Sequence, residues 1–247
     1  MISYKYSQLC LIEAQKPIGS LFLICVRIKE TMDQVEIFRQ RFRAEFITDG
    51  YSGKLHLTFI NLWCLAGIIT CDLNIHHPTL KQFLVIPLTF LYTNMFEYFG
   101  HRYPMHHRYT ALKAVFKRHT LQHHHFFTNA QMNCDSANDF KIILFPPVLL
   151  VFFSLFFVLP AALAIYHFFS LNAAMFYVAT TLVYYLNYEW LHLAYHLPET
   201  HFVYNIPGLK FLRRLHFQHH DIKEMDKYNF NITYPVFDVL FGTLKSK

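Results

Sequence analysis

Histidines at short, regular spacings are the residues of this sequence that could do chemistry. The chain has 17 histidines among 247 residues, and most of them fall in four clusters. On an α-helix, residues i and i+4 share a face, so two histidines at this spacing can bind one centre together. The candidate metal ligands are His101, His106, His119, His123, His124, His192, His196, His216, His219 and His220.

Three of the four clusters fit a helical face. In the second cluster, His119 and His123 share a face, and His124 is turned by about 100° and can reach a second centre. His125 is then a spare neighbour, although a pairing of His124 with His125 stays open. The third and fourth clusters are His192 with His196, and His216 with His219 and His220.

The first cluster has a different spacing. His101 and His106 are five residues apart and do not share the face of an α-helix. Pro104 lies between them, and proline removes a backbone hydrogen bond inside a helix. The sequence therefore predicts that the helix has ended before His106.

An all-histidine ligand set indicates a transition metal such as iron, zinc, copper or nickel rather than a structural zinc site. Ten imidazoles are too many for one metal ion and fit two.

Glu97 and Glu189 lie about one turn before the first and third clusters, where they could orient ring nitrogens or bridge metals. The alternative role for each glutamate is an ion pair with an arginine at the membrane surface. The remaining histidines are left out of the site, as interfacial or loop residues: His56, His76, His77, His107, His125, His167 and His201.

Apolar helices must position these clusters. Hydrophobic residues make up 54% of the chain and charged residues 15%, compared with about 25% charged in a typical soluble protein. A helix that crosses a bilayer needs roughly 20 mainly apolar residues. Because proline is tolerated at a helix start, the third apolar helix is expected to enter after Pro147 and to form a tight hairpin with the fourth. The four segments with this character are 55–71, 83–99, 142–169 and 171–193.

The basic residues predict the orientation. All lysines and arginines except Lys81 lie in residues 1–54, 98–141 and 191–247. Because short loops rich in these residues stay in the cytoplasm, we expect four crossings with both termini and all four histidine clusters on the cytoplasmic side. The net charge of +6 follows from this pattern, so it does not indicate nucleic-acid binding.

The N-terminal region is expected to lie at the membrane surface. Residues 18–26 are apolar but too few to span a bilayer, and no signal-peptide cleavage pattern follows them. Met32 is an alternative start, which would exclude residues 1–31 from the natural protein. The sequence VEIFRQRFRAEF after it is typical of an amphipathic, basic surface helix. We expect two parts, an N-terminal cytoplasmic or interfacial segment at 1–54 and a membrane domain at 55–247 that carries the histidine clusters.

The motif series H-x4-H, H-x3-HH, H-x3-H and H-x2-HH, set between apolar hairpins, resembles the fatty acid hydroxylase and sterol desaturase superfamily. Three further stretches carry the resemblance and make it most similar to the fatty acid 2-hydroxylases. EYFGHR at 97–102 resembles the lead-in to the first box, LFPPV at 144–148 the segment before the third helix, and NFNITYPVFDVLFGT at 229–243 the closing pattern. The resemblance covers residues 83–243.

The resemblance implies an all-α integral membrane fold, with four transmembrane helices in two hairpins and a cytoplasmic helical cap that carries a di-metal site. It implies two iron ions on the ten histidines, and zinc is able to occupy the same ligands in a purified protein. The implied activity is a monooxygenase that uses O2 to hydroxylate a fatty acyl or related lipid chain from the bilayer. A separate electron donor such as cytochrome b5 or ferredoxin is expected, in a bacterial inner membrane or the endoplasmic reticulum.

Some positions depart from the family pattern. The second box is one residue longer than the usual H-x2-HH, Glu189 stands where Asp is common, and Asn231 and Phe237 replace the usual Gly and Trp. These departures bear on the substrate more than on the chemistry. The alternatives are a sterol or carotenoid hydroxylase, a desaturase of the same type, or a non-catalytic membrane metal-binding or transport protein. A transporter would carry ionisable residues near the middle of its helices, whereas here they lie at the ends.

Overall fold

The computed structural model describes residues 33–246. Regular structure in this range is helical, without a β-strand and with one isolated β-bridge between Thr128 and Gln131. The all-α prediction is therefore confirmed for the described residues. The predicted interfacial stretch 18–26 and the question of whether residues 1–31 belong to the natural protein lie outside them.

Eleven α-helices occur in the described range, joined by short 3₁₀ and π-helical segments. In chain order the α-helices are α1 (33–46), α2 (Gly53–Leu73), α3 (Val85–Gly100), α4 (Lys113–Phe116), α5 (His124–Phe126), α6 (Phe140–Ile143), α7 (Pro147–Phe153), α8 (Leu159–Phe168), α9 (Leu171–Tyr195), α10 (Leu209–His219) and α11 (Val236–Leu240). The π-helical segments are His101–Met105, Lys117–His123 and Ser154–Val158.

Two helical stretches of the described chain are long and apolar enough to cross a membrane, Gly53–Leu73 and Ala137–Phe168. The long helices also expose large apolar side chains, since Leu62, Leu88 and Phe156 have 63%, 65% and 65% of their surface accessible. Exposure of this many large apolar side chains is typical of a surface that contacts a membrane or a partner. α3 has 16 residues and is shorter than a typical crossing, so the four predicted crossings stay a prediction.

α9 is the central helix. α2, α3 and α8 all pack against it. α8 and α9 form the predicted antiparallel hairpin, because α8 ends at Phe168 and α9 begins at Leu171. Among the described helices, however, α2 and α3 pack mainly against α9 instead of against each other, so the first of the two expected hairpins stays a prediction.

The connection between α2 and α3 explains this difference. Residues 74–84 cross the beginning of α9, where the Asn172 side chain binds both backbone groups of His76, at 3.1 Å to the N–H and 2.8 Å to the carbonyl. Gln82 also donates to the Ser170 hydroxyl, at 2.8 Å. The connection is long enough to carry the chain across α9, which therefore separates α2 from α3.

α1 is the amphipathic helix that the sequence predicts. Its inner face packs on the protein, where Val35 and Phe42 are buried. Arg43 pairs with Asp139 through two hydrogen bonds, of 2.9 and 3.0 Å, and so fastens α1 to the turn that precedes α6. The N-terminal helix is thus joined closely to the domain predicted for residues 55–247.

The start of α2 packs against this same turn, and the close approach requires glycine. A Cβ atom on Gly53 would lie 1.7 Å from the carbonyl oxygen of Ala137, far inside van der Waals contact. The Gly50 position is open, because a Cβ atom there would have no other heavy atom of the described chain within 4 Å.

We predict that Gly53→Ala destabilises the fold by about 1–3 kcal/mol, because the backbone at Ala137 must move. Gly50→Ala is the matched control and should leave stability unchanged. Thermal unfolding of both variants in detergent, followed by circular dichroism, checks this. Equal midpoints for Gly53→Ala and the parent chain would contradict the packing described here.

Candidate metal centre

Nine of the ten predicted ligands meet in two buried groups, in each of which the ligand nitrogens all lie within 4.8 Å of one another. Centre A consists of His101, His106, His119, His124 and His219. Centre B consists of His123, His196, His216 and His220. The tenth residue, His192, borders centre B, with its Nε2 3.2 Å from the Nε2 of His123. Either group can hold a metal ion.

Two π-helical segments build centre A. In a π-helix the backbone bonds i to i+5, so side chains five residues apart come together, whereas in an α-helix the spacing is four. The segment Lys117–His123 brings His119 and His124 together, with their Nε2 atoms 3.1 Å apart. The segment His101–Met105 does the same for His101 and His106, also at 3.1 Å.

These segments overturn two sequence predictions. His119 and His123 do not share a centre, because the wider turn directs His123 to centre B and His124 to centre A. The helix does end before His106, as predicted, because the π-helical segment stops at Met105, but His101 and His106 come together against expectation. The spacing of five, read as incompatible with a common face, is the spacing that a π-turn requires.

α10 contributes to both centres. His216 and His220 are one α-helical turn apart and face centre B, with their Nε2 atoms 3.0 Å apart. His219 is turned away from His220, and its Nε2 lies 3.0 Å from that of His106 in centre A. The fourth cluster is therefore divided between the centres and is not the single stripe predicted from its spacing.

Backbone carbonyls fix the orientation of five of these rings. A carbonyl oxygen only accepts hydrogen bonds, so the Nδ1 atom that contacts it must carry the proton, and Nε2 then presents a lone pair. This is the usual support for a histidine that binds a metal. The pairs are His101 with Phe230 at 2.5 Å, His123 with Ile142 at 3.1 Å, His196 with Met132 at 2.9 Å, His219 with Tyr228 at 2.9 Å, and His220 with Phe127 at 2.6 Å.

The donor set fits metal ions better than a hydrogen-bond network. In centre B the lone pairs of His123, His196 and His220 share one small, buried space, and none of these three Nε2 atoms has a proton to donate. Lone pairs that face one another at such distances repel unless a cation lies between them. Imidazole is a good ligand for iron, as it is for zinc, copper and nickel.

Burial keeps these imidazoles neutral. Desolvation is the main cause, and neighbouring histidines add to it. Together they lower the pKa of His101 and His124 well below 6.5, and those of His219 and His220 to about 3. Neutral imidazole is the form that binds a metal, so the rings are ready to bind at neutral pH without losing a proton.

Glu97 and Glu189 bind backbone segments near the site and do not bind the imidazole rings directly. Within residues 33–246, neither glutamate has a hydrogen bond to an imidazole or to an arginine side chain. Glu97 accepts hydrogen bonds from the backbone of Ile232 and of Thr233, the latter at 2.9 Å. Glu189 accepts from the backbone N–H of Phe145, at 3.1 Å. Each holds a segment that supplies a carbonyl to a histidine.

The closing motif of the sequence shapes one of these segments. Asp238 is buried and accepts from the backbone N–H groups of Phe230 and Asn231, at 2.9 and 2.7 Å, and from the Thr243 hydroxyl, at 2.7 Å. Asn229 has a left-handed backbone, with φ of 58°, and its side chain binds the backbone of Lys245. The sequence shows residues 229–243 only as a pattern that resembles a family. The structure shows that they hold the backbone whose Tyr228 and Phe230 carbonyls bind histidines.

The histidines left out of the site lie outside both groups. His125 contacts the backbone carbonyl of Thr120 at 3.1 Å, so its pairing with His124 is excluded. His56 is buried, not interfacial, and lies between the Tyr51 hydroxyl at 2.8 Å and the Phe145 carbonyl at 2.9 Å. His107 and His167 are exposed, and His201 caps a 3₁₀ turn.

Comparison with models of known protein families, with curated protein sequences and with solved structures finds no significant match. The geometry of the two histidine groups is therefore the main basis for a functional assignment.

We predict that His124→Ala weakens binding of one of two metal ions per chain, whereas His125→Ala keeps both. The two residues are adjacent, but only His124 points into a centre. Elemental analysis and Fe²⁺ titration of the purified variants under anaerobic conditions measure the difference. Equal metal content in the two variants would contradict the assignment of centre A.

The metal-free protein should lose stability as the pH falls. The folded-state pKa values of His219 and His220 are about 3, below the usual 6.5, so the unfolded chain takes up more protons. Their contribution to stability is complete above pH 6.5 and is lost progressively as the pH falls toward 3. Thermal unfolding of the chelated protein between about pH 8 and pH 5 tests this. An unfolding temperature that stays constant across this range would contradict it.

Proposed function

We propose that this chain is a membrane-bound di-iron monooxygenase that uses O2 to hydroxylate a fatty acyl or related lipid chain. The observation that carries the proposal is the pair of adjacent centres, formed by nine buried imidazoles whose Nε2 atoms converge. Two such centres side by side suit a reaction that needs two electrons. The resemblance of residues 83–243 to the fatty acid hydroxylase superfamily supports the same assignment.

Iron is proposed because the reaction is an oxidation by O2. Iron bound at these histidines would supply the oxygen activation that an unactivated C–H bond requires, whereas zinc is redox-inactive. The balanced reaction consumes one O2, two electrons and two protons and yields the alcohol and water. We propose that the electrons come from a separate donor such as cytochrome b5 or ferredoxin.

The surroundings of the centres would exclude water. The Phe127 ring stacks on His196, with ring centres 4.0 Å apart, and the Phe230 ring lies 6.0 to 6.1 Å from His101, His106 and His219. Both phenylalanines are fully buried. Dry walls strengthen electrostatic interactions at the metals and suppress side reactions of the oxidant.

A mainly apolar pocket supports a lipid substrate. It has a volume of about 650 Å³ and lies between α3, α8 and α9, where Tyr92, Phe168 and Tyr177 line it. This volume is in the range of about 300–1,000 Å³ that is usual for small-molecule sites. The pocket extends from Lys81 and Ser170, at the helix ends opposite the histidines, to Tyr92, which is roughly 14 Å along the helix from His101. We propose that a chain drawn from the bilayer lies along these helices.

We also propose that the chain crosses the membrane four times, with the centres at the cytoplasmic face. The carboxyl ends of α3 and α9 carry the first and third clusters, and Lys81 is the only basic residue at the opposite ends of these helices. The positive-inside rule then assigns the histidines to the cytoplasm. The membrane is that of a bacterial cell or of the endoplasmic reticulum.

The test is lipid profiling of cells that express the chain. We expect a lipid that gains one oxygen atom, and growth under ¹⁸O2 should label it. His219→Ala should reduce this product to background, while His201→Ala, which alters a histidine outside both centres, should keep most of it. A product that lacks two hydrogens instead would indicate a desaturase, and an oxidised sterol or carotenoid would redirect the substrate. Unchanged lipids would contradict the proposal.

A further inference from the structure

Arg39 on α1 is buried, with 2% of its surface exposed, although it belongs to neither centre. Its guanidinium is used chiefly to bind backbone carbonyls. Nε donates to the carbonyl of Phe126 at 2.7 Å, and Nη2 donates to the carbonyl of Gln131 at 2.8 Å. Its ion pair with Asp135 is longer, at 3.4 Å, and the Asp135 side chain is 56% exposed.

The two carbonyls that Arg39 binds each precede a carbonyl that orients a histidine of centre B. Phe127, next to Phe126, accepts from His220, and Met132, next to Gln131, accepts from His196. Because each peptide unit is a rigid plane, fixing one carbonyl restricts the unit that follows.

The loop between these carbonyls is closed on itself. Thr128 and Gln131 exchange two backbone hydrogen bonds, of 3.2 and 2.9 Å. Arg39 therefore joins the two sides of a closed loop, residues 126–132, from outside. The guanidinium also lies 4.9 Å from the ring centre of Phe126 and 5.4 Å from that of Phe127, so the buried charge gains further contacts.

We propose that Arg39 is a positioning residue for centre B, which holds loop 126–132 so that two of its carbonyls aim the Nε2 atoms of His196 and His220. The inference rests on the proposed function in one respect, namely that centre B binds a metal ion. It also makes α1, from the N-terminal segment, a functional part of the metal site.

Arg43 provides the control for a merely structural role. It lies one turn further along α1, and within the described chain its guanidinium hydrogen-bonds to carboxylates alone, those of Asp135 and Asp139. Loss of Arg43 should loosen α1 without releasing the carbonyls of loop 126–132. Loss of Arg39 should release them.

The experiment uses the full chain in detergent, stripped of metal and titrated with Fe²⁺ under anaerobic conditions. Arg39→Gln should weaken one of two binding events by about tenfold or more, the effect usual for groups that orient ligands. Arg39→Lys keeps the charge but cannot span both carbonyls, so it should show the same loss even if it folds better. Arg43→Ala should keep both events at unchanged affinity.

Two double variants show which of the two centres Arg39 affects. In His216→Ala, which damages centre B, adding Arg39→Gln should change little. In His219→Ala, which damages centre A, it should weaken the remaining site. Unchanged affinity in Arg39→Gln, or equal weakening of both sites by Arg39→Gln and Arg43→Ala, would overturn this inference alone. Absence of Fe²⁺ binding by the parent chain would overturn the proposed function together with it.

Discussion

The hydrogen bond from a histidine Nδ1 to a backbone carbonyl is the interaction on which the site depends. Five rings are held in this way, and in each the bond leaves Nε2 as the free lone pair. The carbonyls come from three segments, 126–132, 142–145 and 228–230, that lie between helices or at their ends. The helices bring the histidines to the site, but these segments decide where the ring nitrogens point.

Buried charged side chains hold each of these segments in place. Arg39 binds loop 126–132, Asp238 accepts from the backbone N–H of Phe230, and Glu97 accepts from those of Ile232 and Thr233 just after it. For the third segment, Glu189 accepts from Phe145, and Arg118 donates to the Leu144 carbonyl at 2.9 Å. A buried charge is costly unless it is hydrogen-bonded, and here backbone groups supply the bonds. Several of the buried charged residues in the described part of the chain thus lie where irregular backbone must be fixed.

The helices could be predicted from sequence, but the division of histidines between the centres could not. The predicted segment 55–71 corresponds to α2 at Gly53–Leu73, because apolar length alone marks such a helix. The i, i+4 spacing likewise identifies His216 with His220 as one pair. A π-turn, by contrast, shifts the helical register by one residue without a distinct sequence signal. Because of that shift, His124 shares a centre with His119, and His123, which was expected there, belongs to the other centre.

Two pairs of adjacent histidines explain why the two centres lie so close together. His123 and His124 are neighbours in sequence but face different centres, and so are His219 and His220. Consecutive Cα atoms are only about 3.8 Å apart, so two segments of this kind keep the centres within a short distance. The His124 and His220 rings, which belong to different centres, stack with their ring centres 4.4 Å apart. Metal ions bound there would be near neighbours, which is what the proposed two-electron reaction with O2 requires.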